Sequence, residues 1–231
     1  DEKDILDFTL EKSLLVSDSQ YAFVGLITPD EYEMVIHTWS KGAMEVCSVT
    51  EKPIHFPLQE AGIWGECIRN HAPFICNDYS CEHPAKHGCP KGHVPITRFL
   101  GVPIRDGETI VAILAVANKT GEYDNEDINT LLTLGNIMWE MIHRGRVRDE
   151  LIQASRYNRT LIETSPDPLV TIGKDGKITD VNSATEKVTG YFRTELVGTD
   201  FSEYFTDPQA AREGYLGVFE KGEVRDYPLA I

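Results

Sequence analysis

The sequence predicts an α+β chain, an antiparallel sheet flanked by helices and followed by a long connecting helix and a smaller α+β module. Three observations carry that prediction. β-rich runs come in pairs around strong turn residues, within 21–39 and again within 99–117. A stretch from 127 to about 164 keeps apolar side chains at helical spacing. A shorter β–turn–β unit and a capped helix then follow it.

Taken in order, Ile5, Phe8, Leu14 and Leu15 give a helical stripe over 4–17 that ends in Ser17-Asp18-Ser19. Tyr21–Ile27 and Glu33–Trp39 form a hairpin around Thr28-Pro29-Asp30. A short helix over 59–71 follows Pro57, and a strand occupies 72–76. From Asn77 to Thr97 the composition turns to Cys, His, Gly, Pro and Lys, a loop of a length that is uncommon unless it has a role. Phe99–Ile104 and Thr109–Ala117 pair around Arg105-Asp106-Gly107-Glu108. The long helix ends at Ser165-Pro166-Asp167-Pro168, because Pro cannot continue the ladder. Strands over Leu169–Ile172 and Lys177–Val181 meet at Lys174-Asp175-Gly176. Asn182 caps a helix that stops near Gly190. Phe192, Phe201 and Phe205 are read as core residues of this last module.

The chain has 231 residues with 22 basic and 37 acidic side chains, a formal charge of −15. Such a surface argues against nucleic acid or an anionic membrane as partner, since both need a basic patch. No apolar run approaches the ~18–20 residues of a membrane span, and Asp1-Glu2-Lys3-Asp4 is no signal peptide. The missing initiator Met suggests a piece of a longer protein. Five cysteines without scaffold density suit a reducing cytoplasm. No phosphate-cradling Gly-rich loop, nucleophile elbow or H-E-x-x-H pair is present, so kinase or hydrolase chemistry is not expected within these residues.

The sharpest cluster lies in the long loop, where Cys76, Cys81, His83, His87, Cys89 and His93 place six thiol or imidazole groups within 18 residues. Thiolate and imidazole suit zinc or iron, and the thiols also suit redox chemistry. No C-x2-C pair, the commonest spacing of a structural zinc site, occurs here.

Residues 1–142 resemble a GAF domain of the sensory-kinase type. The likeness rests on Ile63-Trp64-Gly65-Glu66, Asn77-Asp78-Tyr79, His83-Pro84 and Gly92-His93-Val94-Pro95-Ile96. It continues through Arg98-Phe99-Leu100, Val102-Pro103, Ala117-Asn118-Lys119, Tyr123, Asp127 and Trp139. Residues 165–231 resemble the N-terminal part of a PAS domain through Ser165-Pro166-Asp167, Asp175-Gly176, Asn182, Thr189-Gly190-Tyr191, Glu195-Leu196, Gly198 and Phe205. Residues 143–164 would be the linking helix between them. GAF followed by PAS implies a fragment of a multi-domain sensor histidine kinase, with a downstream kinase domain as its partner.

The resemblance implies a small-molecule cavity between the sheet and the long loop, with Trp39, Trp64, Tyr79, His93 and Arg98 as candidate ligand contacts. Aromatics would stack on a planar ligand, and Arg98 would meet an anionic one. Haem and zinc are the cofactors the resemblance and the loop suggest, with Cys47 and His93 as haem ligands. The alternative function is a thiol enzyme, such as a free methionine sulfoxide reductase. Asn118-Lys119, Tyr123 and Asp127 are similar to the signature of cyclic-nucleotide GAF domains, with Tyr for Phe and Ile128 for the final Glu. Lys119 is expected to pair with Asp127, whose carboxylate the helix N-terminus favours, as a structural clasp.

Leu131, Leu134, Met138, Met141 and Gly145 follow coiled-coil spacing, and Val147, Leu151, Ala154, Asn158 and Leu161 resume it in a different register. The spacing predicts a parallel homodimer along about 128–164, adjustable at Arg144-Gly145-Arg146.

Overall fold

Helix α1 (Glu2–Ser17) begins on a capping box, with the Asp1 carboxylate accepting from Asp4 N at 2.9 Å. It ends at Asp18, left-handed with φ 50°. Thr9, Ser13 and Ser17 line its buried side, and each hydroxyl donates one turn back, to Ile5 O, Thr9 O and Ser13 O. Small polar side chains are thus satisfied within the helix and leave it free to lie close to the sheet.

This computed structural model describes residues 1–40, 42, 54–86, 93–223, 225, 228 and 230. The chain divides into two units, Asp1–Arg148 and Asp149–Ile231. In the first, β1 (Tyr21–Ile27), β2 (Glu33–Trp39), β3 (Ile54–Pro57), β4 (Phe74–Cys76), β5 (Phe99–Asp106) and β6 (Thr109–Ala117) form one sheet. Their order is β3-β2-β1-β6-β5-β4, and every neighbouring pair is antiparallel.

The stretch 59–71 is not the single helix its composition suggests. It breaks into 3-10 turns at Leu58–Glu60 and Ile63–Gly65 before the one-turn helix α2 (Glu66–Arg69). The Arg69 guanidinium explains the break: it takes Ala61 O at 2.8 Å and Gly62 O at 2.7 Å, carbonyls a helix would need for its own ladder.

Alternation along the strands gives the sheet two different faces. Val24, Leu26, Leu100, Val102, Ile104, Ala112, Leu114 and Val116 face Leu6 and Leu10 of α1, and Leu131, Met138 and Ile142 of α3 (Asn125–Thr164). Gly135 sits where α3 passes β5, and a Cβ there would fall inside the buried Ile104 side chain. Leu131 and Met138, read above as coiled-coil seam positions, are therefore taken up by the chain's own core. Leu134 is half-buried, and Ile137, Met141, Val147, Leu151 and Leu161 are exposed.

In the second unit β7 (Val170–Ile172) and β8 (Ile178–Val181) form an antiparallel pair. Helices α4 (Ser183–Thr189), α5 (Arg193–Leu196) and α6 (Pro208–Lys221) follow. The core is small: Ile178, Val181 and Leu196 are buried, with Val170, Phe201 and Tyr204 against them. Phe192 does not join it and is 71% exposed, because it sits at the N-cap of α5, where its N–H donates to Glu195 Oε2. Asn182 is the polar centre of the unit. Its Nδ2 donates to Ile162 O and Asp167 O, and its Oδ1 accepts from Leu169 N and Thr185 N. Ser183 adds Oγ to Glu163 O and N to Glu163 Oε2, so the last carbonyls of α3 are capped from the β8–α4 junction. Arg159 pairs with Asp180 and Glu163, and Arg193 with Asp180.

Candidate functional site

The second face of the six-stranded sheet is lined by Ile27, Met34, Leu58, Cys67, Ile68, Phe99, Ile110, Ile113 and Ala115, all buried. Around them stand aromatic rings that are only partly buried: Phe23, Trp39, Phe56, Trp64, Phe74 and Tyr79. Each is placed by a definite element. Phe23 lies opposite Trp39 on β2 and Ala115 on β6, and Phe56 comes from the edge strand β3. Trp64 enters from the 3-10 turn before α2 and meets Phe56 edge-on at 5.9 Å. Tyr79 hangs from the loop through its N–H to Thr97 O, and the Lys86 ammonium lies 4.6 Å from its ring centre. Ala115 pairs with Gly101 across β5 and β6, and the Phe99 ring and Cys67 Sγ lie over that glycine. The Cys67 thiol donates weakly to Trp64 O, and burial pushes its pKa up to about 12.

The structure thus brings Trp39, Trp64 and Tyr79 into one cluster, and places the other two candidate ligand contacts differently. His93 is exposed, and its Nδ1 lies 2.8 Å from Val94 O. Arg98 donates from its η nitrogen to Lys119 O, while its Nε is buried without an acceptor among the described residues. It belongs with Tyr123, whose hydroxyl feels its charge.

There a polar knot joins the loop to the start of α3. Lys119 Nζ donates to both oxygens of Asp127, at 2.8 and 2.6 Å, and Asp124 N adds a third bond. The Tyr123 hydroxyl lies 2.7 Å from Ser19 Oγ and accepts from Lys119 N. Asn77 brackets Tyr123 from the loop side, with Oδ1 to its N–H and Nδ2 to its carbonyl. Asn118, left-handed at φ 63°, accepts from Thr97 N and donates to Pro95 O.

Of the loop's thiols and imidazoles, Cys76, Cys81, His83 and His93 are described, while His87 and Cys89, and Cys47 earlier in the chain, lie outside the described residues. His83 stacks edge-on against Phe74 at 5.6 Å, and its Nδ1 accepts from Ala85 N. Cys76 donates to Asp78 O and Cys81 to Asp78 Oδ2, at 3.4 and 3.1 Å. Among the described residues no three His, Cys, Asp or Glu side chains converge as a metal site.

Sequence reading passed over Phe23, Phe56, Phe74, Met34 and Cys67 as site residues. Period-two alternation already sets Phe23, Gly25 and Ile27 on one face, a usable signal. Cys67 carried none, because its burial comes from the break between the two 3-10 turns and α2.

Comparison with known proteins agrees with this architecture. The family profile described as GAF domain matches residues 1–143, and that described as PAS fold matches 156–222. The methyl sulfide methyltransferase-associated sensor of Methanosarcina acetivorans is 38% identical over 149 residues, 64% of this chain and 15% of that protein. The signal transduction histidine-protein kinase AtoS of Escherichia coli is 42% identical over 65 residues, 26% of this chain and 11% of that one. Among solved structures, the GAF domain of a phosphoenolpyruvate-protein phosphotransferase from Coxiella burnetii superimposes with a TM-score of 0.55. It is 16% identical and covers 65% of this chain and 87% of its own. No described helix is long and apolar enough to cross a membrane.

Proposed function

Because this chain belongs to the GAF family and carries a PAS fold behind its long helix, we propose that it is the sensory part of a kinase receptor. The receptor site is the second face of the GAF sheet, and its ligand is small, planar and largely apolar. One observation carries this reading: among the described residues six aromatic rings stay only partly buried against this face, whereas Trp139 alone does so against the other. Apolar surface left unfinished inside a domain is what a preformed ligand site presents. Residues 1–142 bind, 143–164 relay and 165–231 receive, in the cytoplasm.

The test is a titration of candidate planar ligands, haem included, followed by tryptophan emission in a Trp139→Phe background that leaves only Trp39 and Trp64. Binding should perturb that emission, and Trp64→Ala should weaken affinity at least about tenfold with the fold intact. A set of ligands that leaves the emission unchanged defeats the reading.

A parallel homodimer through the long helix belongs to the same proposal, narrowed to the apolar seam positions that the GAF core leaves exposed: Met141, Val147, Leu151 and Leu161. Sedimentation should show a dimer that Leu151→Asp dissociates. A thiol reductase ranks second. It needs a thiolate near neutral pH, whereas partial burial raises the pKa of Cys76 and the bond to Asp78 raises that of Cys81. Turnover of free methionine sulfoxide with dithiothreitol would reverse that ranking.

A further inference from the structure

The start of the long loop brings two thiols onto one residue. Cys76 closes β4 and is half-buried, while Cys81 is exposed. Asp78 between them folds the chain back on itself. Its carbonyl accepts from Cys81 N and from the Cys76 thiol, and its carboxylate accepts from Ser80 N, Ser80 Oγ and the Cys81 thiol. Lys86 closes the other side, donating to Tyr79 O and, at 3.3 Å, to Cys81 O. The Cys76 sulfur and the Cys81 N–H therefore share a single acceptor, at 3.4 and 3.3 Å. Both thiols are thus gathered on Asp78, Cys76 at its carbonyl and Cys81 at its carboxylate.

We infer that Cys76 and Cys81 form an oxidisable dithiol that hydrogen peroxide converts to a reversible disulfide. The exposed Cys81 sulfur attacks the peroxide, the O–O bond breaks, and a sulfenic acid and one water result. The Cys76 sulfur then attacks the sulfenic sulfur and expels a second water. The two thiols lose two electrons and two protons, the peroxide gains them, and both oxygens leave as water. Asp78 and the second thiol hold Cys81 protonated, whereas the Lys86 ammonium favours both thiolates. The reaction is accordingly slow at neutral pH and quickens as the pH rises, a modification rather than a catalytic cycle. The inference goes beyond the ligand reading and does not depend on what occupies the aromatic cluster. Oxidation nevertheless removes both thiol bonds to Asp78, one residue from Tyr79, which packs on that cluster.

The experiment is hydrogen peroxide treatment of the full chain, quenching by alkylation, and tryptic mapping. Both cysteines lie in the single peptide 70–86, between Arg69 and Lys86. That peptide should become two hydrogens lighter, resist alkylation and recover both thiols with dithiothreitol. In Cys76→Ser the Cys81 sulfenic acid should persist long enough for a dimedone adduct, which the wild-type chain forms at less than about one-tenth the level. Two alkylatable thiols remaining in peptide 70–86 after Cys47 or Cys89 has been oxidised would overturn the inference. A cross-link from Cys76 or Cys81 to any other peptide would do the same. The wild-type map needs no variant, so a folding defect in Cys76→Ser leaves the result decisive.

Discussion

The two faces of the GAF sheet are made by alternate residues of the same strands, yet they finish differently. Toward α1 and α3 the buried strand side chains are aliphatic, and Gly135 lets the helix lie against Ile104. On the other face a buried, mostly aliphatic layer with Met34 and Cys67 carries six aromatic rings that are only partly buried. The first face is a core that defines the fold. The second has the chemistry of a core without its closure, which separates a residue's importance for stability from its importance for recognition.

The strongest challenge to that contrast is Gly135→Leu. It overfills the closed face, and should lower stability by at least ~3 kcal/mol or abolish folding, read by urea unfolding of the GAF unit. Next comes a matched pair. Leu114→Ala leaves a cavity in the closed face and should cost ~2–5 kcal/mol, whereas Trp64→Ala should cost under ~2 kcal/mol because the ring is already partly in water. Equal losses would mean that the second face is ordinary core. Lys119→Ala tests the knot at the sheet's end. The Asp127 side chain keeps only 7% of its exposure, so removing its cation should cost ~1–3 kcal/mol and loosen the start of α3.

The last test is electrostatic and has no effect at neutral pH. Burial raises the Cys67 pKa from 9.0 to about 12, so the folded chain holds that proton longer than the unfolded one. Its stability is complete below pH 9 and declines as the pH climbs toward 12, by at most roughly 1.4 kcal/mol per unit. Cys67→Ala should flatten that alkaline decline, and an unchanged slope would place the thiol in water.

Much of the fold was legible because local chemistry decides it. Thr28-Pro29-Asp30, Arg105-Asp106-Gly107-Glu108 and Ser165-Pro166 mark turns and an end that leave the chain little choice. What escaped was set at a distance. The helix read over 59–71 yields to carbonyl bonds from Arg69, and β3, four residues ending in Pro57, has no pattern long enough to announce an edge strand. Among candidate site residues, Trp39, Trp64 and Tyr79 share a face that family resemblance had suggested. Arg98 is drawn instead to Lys119 and Tyr123, because residue type does not record which way a side chain leaves a loop.

The capping of α3 by Asn182 and Ser183 has a mechanical consequence. Helix ends ordinarily fray, and a fraying end absorbs motion before passing it on. Here the carbonyls of Ile162 and Glu163 are held by Asn182 and Ser183, which also begin α4, and Asn182 accepts from Leu169 N just before β7. The final turn cannot loosen without undoing the first contacts of the PAS unit. The joint is keyed: the last turn of α3 and the β8–α4 junction share the same hydrogen bonds, so neither end can loosen alone.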